Sequence, residues 1–176
     1  MLDAVAGGWT FGAIFTAQSG TPFRLTSGRQ TVNGEDAGVV LMNGHTVEDI
    51  QRLITVRDHP TENFSRYFVD QQLIGPDGRA NPEFLAPPTT PGEWGQILYL
   101  RGRNVWNLDA SLNKTTGFVG RSEITVHVTM QNLLNYQVWS TPGFLGTVDI
   151  TSQNFGRTTN PISGARQVYS RLTIRF

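Results

Sequence analysis

Four stretches of the chain alternate apolar and polar side chains with a period of two, the mark of extended strands whose two faces meet different surroundings. They cover residues 8–18, 104–113, 122–132 and 166–176. In the first, Trp9, Phe11, Ala13 and Phe15 share one face against Thr10, Gly12, Ile14, Thr16 and Gln18. In the second, Trp106, Leu108, Ala110 and Leu112 stand against Asn107, Asp109, Ser111 and Asn113. The third sets Ile124, Val126, Val128 and Met130 against Glu123, Thr125, His127, Thr129 and Gln131. The last sets Val168, Ser170, Leu172, Ile174 and Phe176 against Gln167, Tyr169, Arg171, Thr173 and Arg175. Pooled, the apolar faces hold no charge, and Ser170 is their only polar member.

Alternation alone does not name the solvent, because a soluble sheet packed on one side reads the same way. Length adds to it. Each segment is about ten residues, the span of a tilted strand crossing a bilayer, whereas globular strands cluster near five or six. The connections add more. Residues 19–103 and 133–165 form long links, while Lys114 to Ser122 is a short turn carrying Gly117 and Gly120. Long outer loops with short periplasmic turns are the rule for outer-membrane barrels, and a compact soluble domain seldom holds a connection beyond about 15 residues. The expected fold class is therefore all-β, an antiparallel transmembrane β-barrel. The soluble sandwich, with the same apolar faces buried against each other, stays as the alternative.

Within the first long link, Thr46-Val47-Glu48-Asp49 reads as a capping box, with Thr46 at the N-cap. Val47, Ile50 and Leu53 then recur at helical spacing, which predicts a short helix ending before Pro60. Asn33-Gly34, Pro76-Asp77-Gly78 and the Pro87-to-Gly92 stretch are turn or extended signals. No internal repeat and no interdomain linker stand out, so 1–176 reads as one segment.

Composition narrows the function. Lys plus Arg number 14 and Asp plus Glu number 14, a net charge of zero, which lacks the clustered positive field a nucleic-acid binder needs. There are no cysteines, so disulfides, thiolate metal sites and cysteine nucleophiles are out. Charged residues make up 16%, low against a typical quarter, as expected if much of the surface meets hydrocarbon. No apolar run approaches the ~20 residues of a membrane-spanning helix. The opening Met1 to Trp9 shows neither the basic nor the apolar region of an export signal.

Candidate chemistry is thin. There is no GxSxG, HExxH or Walker-type loop. His45, His59 and His127 are far apart in sequence and read as surface or lumen histidines rather than ligands. Glu35-Asp36 and Glu48-Asp49 read as solvated pairs, and Asp77-Gly78-Arg79-Ala80-Asn81 lacks the acidic spacing of a calcium loop. Neither an enzyme nor a cofactor or metal is expected. Trp9, Phe11, Trp106 and Phe176 lie near strand ends, where a barrel carries its aromatic girdle. Asn107, Asp109, Glu123, His127, Arg171 and Arg175 would face the lumen, with the two acids pairing to the two arginines across strands. Trp94, Tyr99, Trp139 and Phe144 are either stacking residues for a ligand at the outer mouth or loop anchors, the latter being favoured.

One family ties these features together. Gly8-Trp9-x-Phe11-Gly12-x-Ile14-Phe15 through Ser19-Gly20-Thr21-Pro22-Phe23 resembles a late barrel strand of Oar-like TonB-dependent outer-membrane receptors. So do Trp94-Gly95, Leu100-Arg101-Gly102, Asn107 to Lys114, Gln131-Asn132-Leu133-Leu134-Asn135, Asn154-Phe155-Gly156-Arg157, and Arg166-Gln167 leading to Phe176. The resemblance implies a C-terminal barrel fragment, about the last four of roughly 22 strands around a plugged lumen. It implies an outer-membrane location and uptake of a scarce, bulky nutrient. In that family a signal peptide, a regulatory-like domain and a plug come first, so Met1 is expected to be a fragment boundary or a misplaced start. The implied lipid-facing residues are Trp9, Phe11 and Phe15, then Trp106, Leu108 and Leu112, then Ile124, Val126 and Val128, then Val168, Leu172, Ile174 and Phe176.

The implied partners are the rest of the barrel and its plug, outer-membrane lipid, and a TonB-type energising complex acting on the missing N-terminal part. The barrel assembly machinery is a further one, reading Leu172, Ile174 and Phe176 as an edge strand open to pairing. Two other readings remain: a soluble all-β glycan-binding module, and a surface barrel or adhesin that transports nothing.

Overall fold

The structure, a computed structural model, describes residues 6–32, 34–63, 65–117, 120–139, 142, 147–159 and 161–176. The chain divides into two compact units, one of Met1–Gln18, Val105–Val138 and Ile162–Phe176, the other of Ser19–Asn104 and Trp139–Pro161.

The first unit is a four-stranded antiparallel sheet. Its strands are β1 (Trp9–Gln18), β8 (Val105–Gly117), β9 (Glu123–Gln131) and β11 (Gln167–Arg175), in that spatial order. Four of the alternating segments have become four strands, and register decides whether their faces agree. Phe11 pairs with Leu112, Leu112 with Val128, Val126 with Leu172, and Ile124 with Ile174. Because side chains alternate strictly along each strand, these matches put every apolar row on one side of the sheet. That side is open: Phe11 is 70% exposed, Leu172 63% and Phe15 59%. Of its residues only Ala110 is buried, so this sheet has no hydrophobic core of its own.

β8 runs further than the pattern predicted, to Gly117 rather than Asn113, because Thr115 and Thr116 continue the ladder with Thr125 and Ile124. The extension brings Lys114 onto the apolar side, which corrects the expectation that this side carries no charge. Lys114 donates to the Gly7 carbonyl, and its ammonium lies 5.1 Å from the Trp9 ring centroid. A long lysine stem can lie along apolar surface while its head reaches the edge. The turn that follows includes positions 118 and 119, which lie outside the described residues.

The second unit, read as loops from the sequence, holds a core instead. Leu25, Val39, Ile50, Val69, Leu73, Leu100 and Phe155 are fully buried, and Phe23 packs edge-on against Phe68 at 5.3 Å. Short strands frame that core. β2 (Pro22–Arg24) pairs with β7 (Tyr99–Arg101), and β3 (Val40–Leu41) with β6 (Leu85–Ala86). β4 (Ile54–Asp58), β5 (Arg66–Val69) and β10 (Arg157–Thr158) form a three-stranded sheet. A length of 85 linking residues suggested loop; paired edges and a shared apolar interior make it a folded body. Its helix, α1 (Val47–Arg52), is the one the capping box predicted: Asp49 N–H donates to Thr46 Oγ1 at 3.2 Å, and Thr46 N–H to Asp49 Oδ2 at 2.9 Å. Only Ile50 of α1 is buried, and Leu53 closes the C-terminus.

Several quoted motifs meet inside this unit as packing devices. Gly20 and Gly102 approach so closely that a Cβ on Gly20 would sit 1.8 Å from the Gly102 carbonyl oxygen. Phe23 pairs with Leu100, both facing the core. Phe155 fills that core, and Gly156 follows at φ +76°, a backbone state that glycine enters without steric cost.

Candidate functional site

β1 ends, β8 begins, β9 ends and β11 begins at one end of the four-stranded sheet, so both long connections depart from that end. There the turn after β9 is locked by a side chain that the pattern had not singled out. Asn132, 8% exposed, adopts φ +50°, and Asn135 adopts φ +51°, left-handed states that asparagine tolerates better than other chiral residues. The Asn132 amide donates to the carbonyls of Tyr136 (3.1 Å) and Gly164 (2.9 Å), and its oxygen accepts from Tyr136 N–H (2.9 Å). Its own N–H donates to Asp109 Oδ1 at 2.8 Å, and Asn107 Nδ2 donates to the same oxygen at 2.9 Å. Val138 N–H donates to Ser163 Oγ at 2.7 Å, and Arg166 N–H to Asn135 Oδ1 at 3.1 Å. Two motifs far apart in sequence, Asn107 to Lys114 and Gln131 to Asn135, are thus joined through Asp109. The available signal was the pair of asparagines three apart after an alternating strand, a turn signature.

These segments enclose a cleft of about 420 Å³. Trp106 and Tyr136 meet edge-on in it at 5.4 Å, and Asn107, Asp109, Gln131, Asn132, Ser163 and Gln167 are among its polar residues. Among the described residues, Asp109 is the one charged residue in the lining.

The polar side of the sheet carries the six residues expected to face a lumen, but not the pairing expected among them. Among the described residues no ion pair joins Asp109 or Glu123 to Arg171 or Arg175. Asp109 is held by Asn107 and Asn132 instead, while Glu123 stands opposite Arg175 and His127 opposite Arg171 in the register. The His127 ring bridges two neighbours, Asn113 Oδ1 at 2.7 Å on Nδ1 and Thr129 Oγ1 at 2.8 Å on Nε2.

Other candidates disperse. His45 stacks on Phe84 at 4.4 Å, and His59 stacks on Tyr67 at 4.9 Å while its Nδ1 accepts from Thr61 and Glu62 N–H groups. Among the described residues, no three His, Asp or Glu side chains converge as a metal site. Of the four loop aromatics, Trp94 and Tyr99 project outward, Tyr99 opposite Arg24. Trp139 is half-buried beneath the Arg66 guanidinium at 5.1 Å, and Phe144 lies outside the described residues. No ring contact joins Trp94, Tyr99 and Trp139.

Four carboxylates of the second unit sit below the ordinary range. Asp49 is lowered mainly by the Thr46 N–H and hydroxyl, and Glu93 by the N–H groups of Thr90 and Thr89. Glu62 is lowered by the Ser65 hydroxyl and then by the Arg157 charge, and Asp77 by the N–H and guanidinium of Arg79. Each holds a turn or cap, which is a structural task.

A family model described as an outer membrane beta barrel domain matches residues 1–169. No curated protein and no solved structure matches the chain.

Proposed function

The chain belongs to the family of outer membrane beta barrel domains and lies in the outer membrane; from that premise we propose that it serves a TonB-dependent receptor taking up a scarce, bulky nutrient. The observation that carries this reading is the coreless four-stranded sheet, apolar and open on one side, polar on the other, with both long connections leaving one end. A sandwich in water would have to bury Phe11, Phe15, Val168 and Leu172 at about 1.5–3 kcal/mol each, and they are exposed. In a bilayer the same side chains are solvated by hydrocarbon and need no protein cover.

On this reading hydrocarbon covers the apolar side of the sheet, from Trp9 to Phe176, and the polar side meets the plug or water. The end with long connections faces the exterior. The chain's edges at β1 and β11 pair with further strands of the same barrel, since an open edge is not tolerated in hydrocarbon. Leu172, Ile174 and fully exposed Phe176 then present alternate side chains to the assembly machinery before closure. Energy would enter through a plug and an inner-membrane complex acting on it.

The test is genetic and functional. Deleting the gene, or disabling the energising complex, should abolish growth on the same member of a panel of scarce nutrients: ferric siderophores, cobalamin and oligosaccharides. Undiminished growth of the deletion strain across that panel overturns transport and leaves a surface barrel of another kind.

A further inference from the structure

We propose that the outward face of the β2–β7 ribbon, carrying Arg24, Tyr99 and Arg101, holds the phosphate of an anionic lipid headgroup. The proposal rests on the outer-membrane location and stands whether or not the barrel transports anything.

The ribbon has two unlike faces. Phe23, Leu98 and Leu100 are buried in the core of the second unit, so the alternate residues point away from it. Tyr99 is 69% exposed and Ile97 51%, and Arg24 and Arg101 are exposed as well. Register puts Arg24 directly opposite Tyr99, and Arg101 opposite Pro22, one diagonal step away. Cβ atoms of diagonal neighbours on one face lie about 7–8 Å apart, within reach of two long side chains. Among the described residues neither guanidinium has an ion-pair partner, and no acid stands on this face of the two strands.

Two guanidinium groups this close can fork onto the oxygens of one phosphate, each through two parallel N–H bonds. Arg101 has a fixed base for that task. Its N–H donates to the Gln51 side-chain oxygen at 2.7 Å, and its carbonyl accepts from the Gln51 amide at 3.0 Å. Both backbone groups of Arg101 are thereby used, and only its side chain is left to engage a partner.

The apolar members favour a lipid over a phosphate free in water. A small soluble phosphate would use the arginines and leave Tyr99 and Ile97 exposed. At the headgroup level of a bilayer, arginines meet phosphate while a tyrosine ring and an aliphatic side chain meet the upper acyl chains. Connectivity permits this. Arg24 is six positions past the end of β1 at Gln18, and Arg101 four before the start of β8 at Val105. At about 3.6 Å per residue at most, the chain holds them within about 22 and 14 Å of those spanning strands.

The test counts lipids retained by the full chain in zwitterionic micelles, using native mass spectrometry. Phosphatidylglycerol and phosphatidylcholine with the same acyl chains are offered in turn. Phosphatidylglycerol should be retained more strongly. Arg24→Gln and Arg101→Gln should each weaken its retention about fivefold, and the double variant about thirtyfold. Arg171→Gln removes the same charge from the polar side of β11 and should leave retention unchanged. Equal retention of the two lipids overturns the proposal, as does unchanged retention in the double variant or an equal loss in Arg171→Gln. Glycerol phosphate that displaces phosphatidylglycerol at equal concentration would place the ligand in solution and overturn the lipid assignment. Growth on the nutrient panel reads transport separately, so either reading can fail without the other.

Discussion

An arginine at Leu112 tests the lipid-facing assignment where it is most demanding. Leu112 sits in β8 between Phe11 and Val128 on the apolar side. Trp106 and Thr116, on the same side of β8, are about ten residue steps of ~3.4 Å apart, or ~34 Å along the strand. At a tilt of ~40° this gives ~26 Å along the membrane normal, close to the ~25 Å apolar band of outer-membrane barrels. Leu112 lies one step from the middle of that interval. Leu112→Arg should therefore cost about 2–4 kcal/mol, a factor of about 30 to 800 in the folding equilibrium. Two controls bracket it. Thr116→Arg, on the same side near the edge where Lys114 already sits, should cost about 0–1 kcal/mol. Ser111→Arg, one residue away on the polar side opposite Gly12, should change stability by about 0.5 kcal/mol or less. Denaturant unfolding of the chain in lipid vesicles, followed by tryptophan fluorescence, measures all three. If Leu112→Arg proves no costlier than Ser111→Arg, hydrocarbon does not cover that side.

Three further outcomes are expected. Leu100→Ala, in the core of the second unit with no exposure, should cost about 2–5 kcal/mol, whereas Leu172→Ala on the open apolar side should cost far less; paired unfolding curves decide. Asn132→Ala removes the hydrogen bonds to the Tyr136 N–H and the Gly164 carbonyl, so it should cost about 1–3 kcal/mol and speed hydrogen exchange at Tyr136. Asp49 is held low by Thr46, so its contribution is present above the ordinary carboxylate range and is lost as pH falls below about 4. Thr46→Ala should cost about 1 kcal/mol and move the Asp49 titration midpoint upward, as read by carboxyl NMR.

Much of the sheet was legible because strand geometry has a period of two. A residue such as Val126 or Leu172 declares its face by its neighbours, and the register only had to agree. The helix cap at Thr46 and Asp49 was equally local, since both hydrogen bonds close within three residues. What lies in sequence-distant pairs was not legible. The cleft joins Asp109 to Asn132 and Asn132 to Gly164, links that no spacing announces. Of the expected acid–arginine pairs, register put His127, not an acid, across from Arg171, and Glu123 across from Arg175 with no ion pair between them.

The core of the second unit shows the division most plainly. Phe23, Leu100, Val69 and Phe155 are spread over more than a hundred positions, each in a segment too short to show periodicity. Alternation and caps are short-range, so the chain alone determined its strands, their two faces and its helix start. Burial is a property of what comes together after the chain turns back on itself. Only the tertiary structure decided that the long links fold around a core while the spanning sheet has none, and that Asp109 is a clasp for Asn132 rather than a partner for arginine.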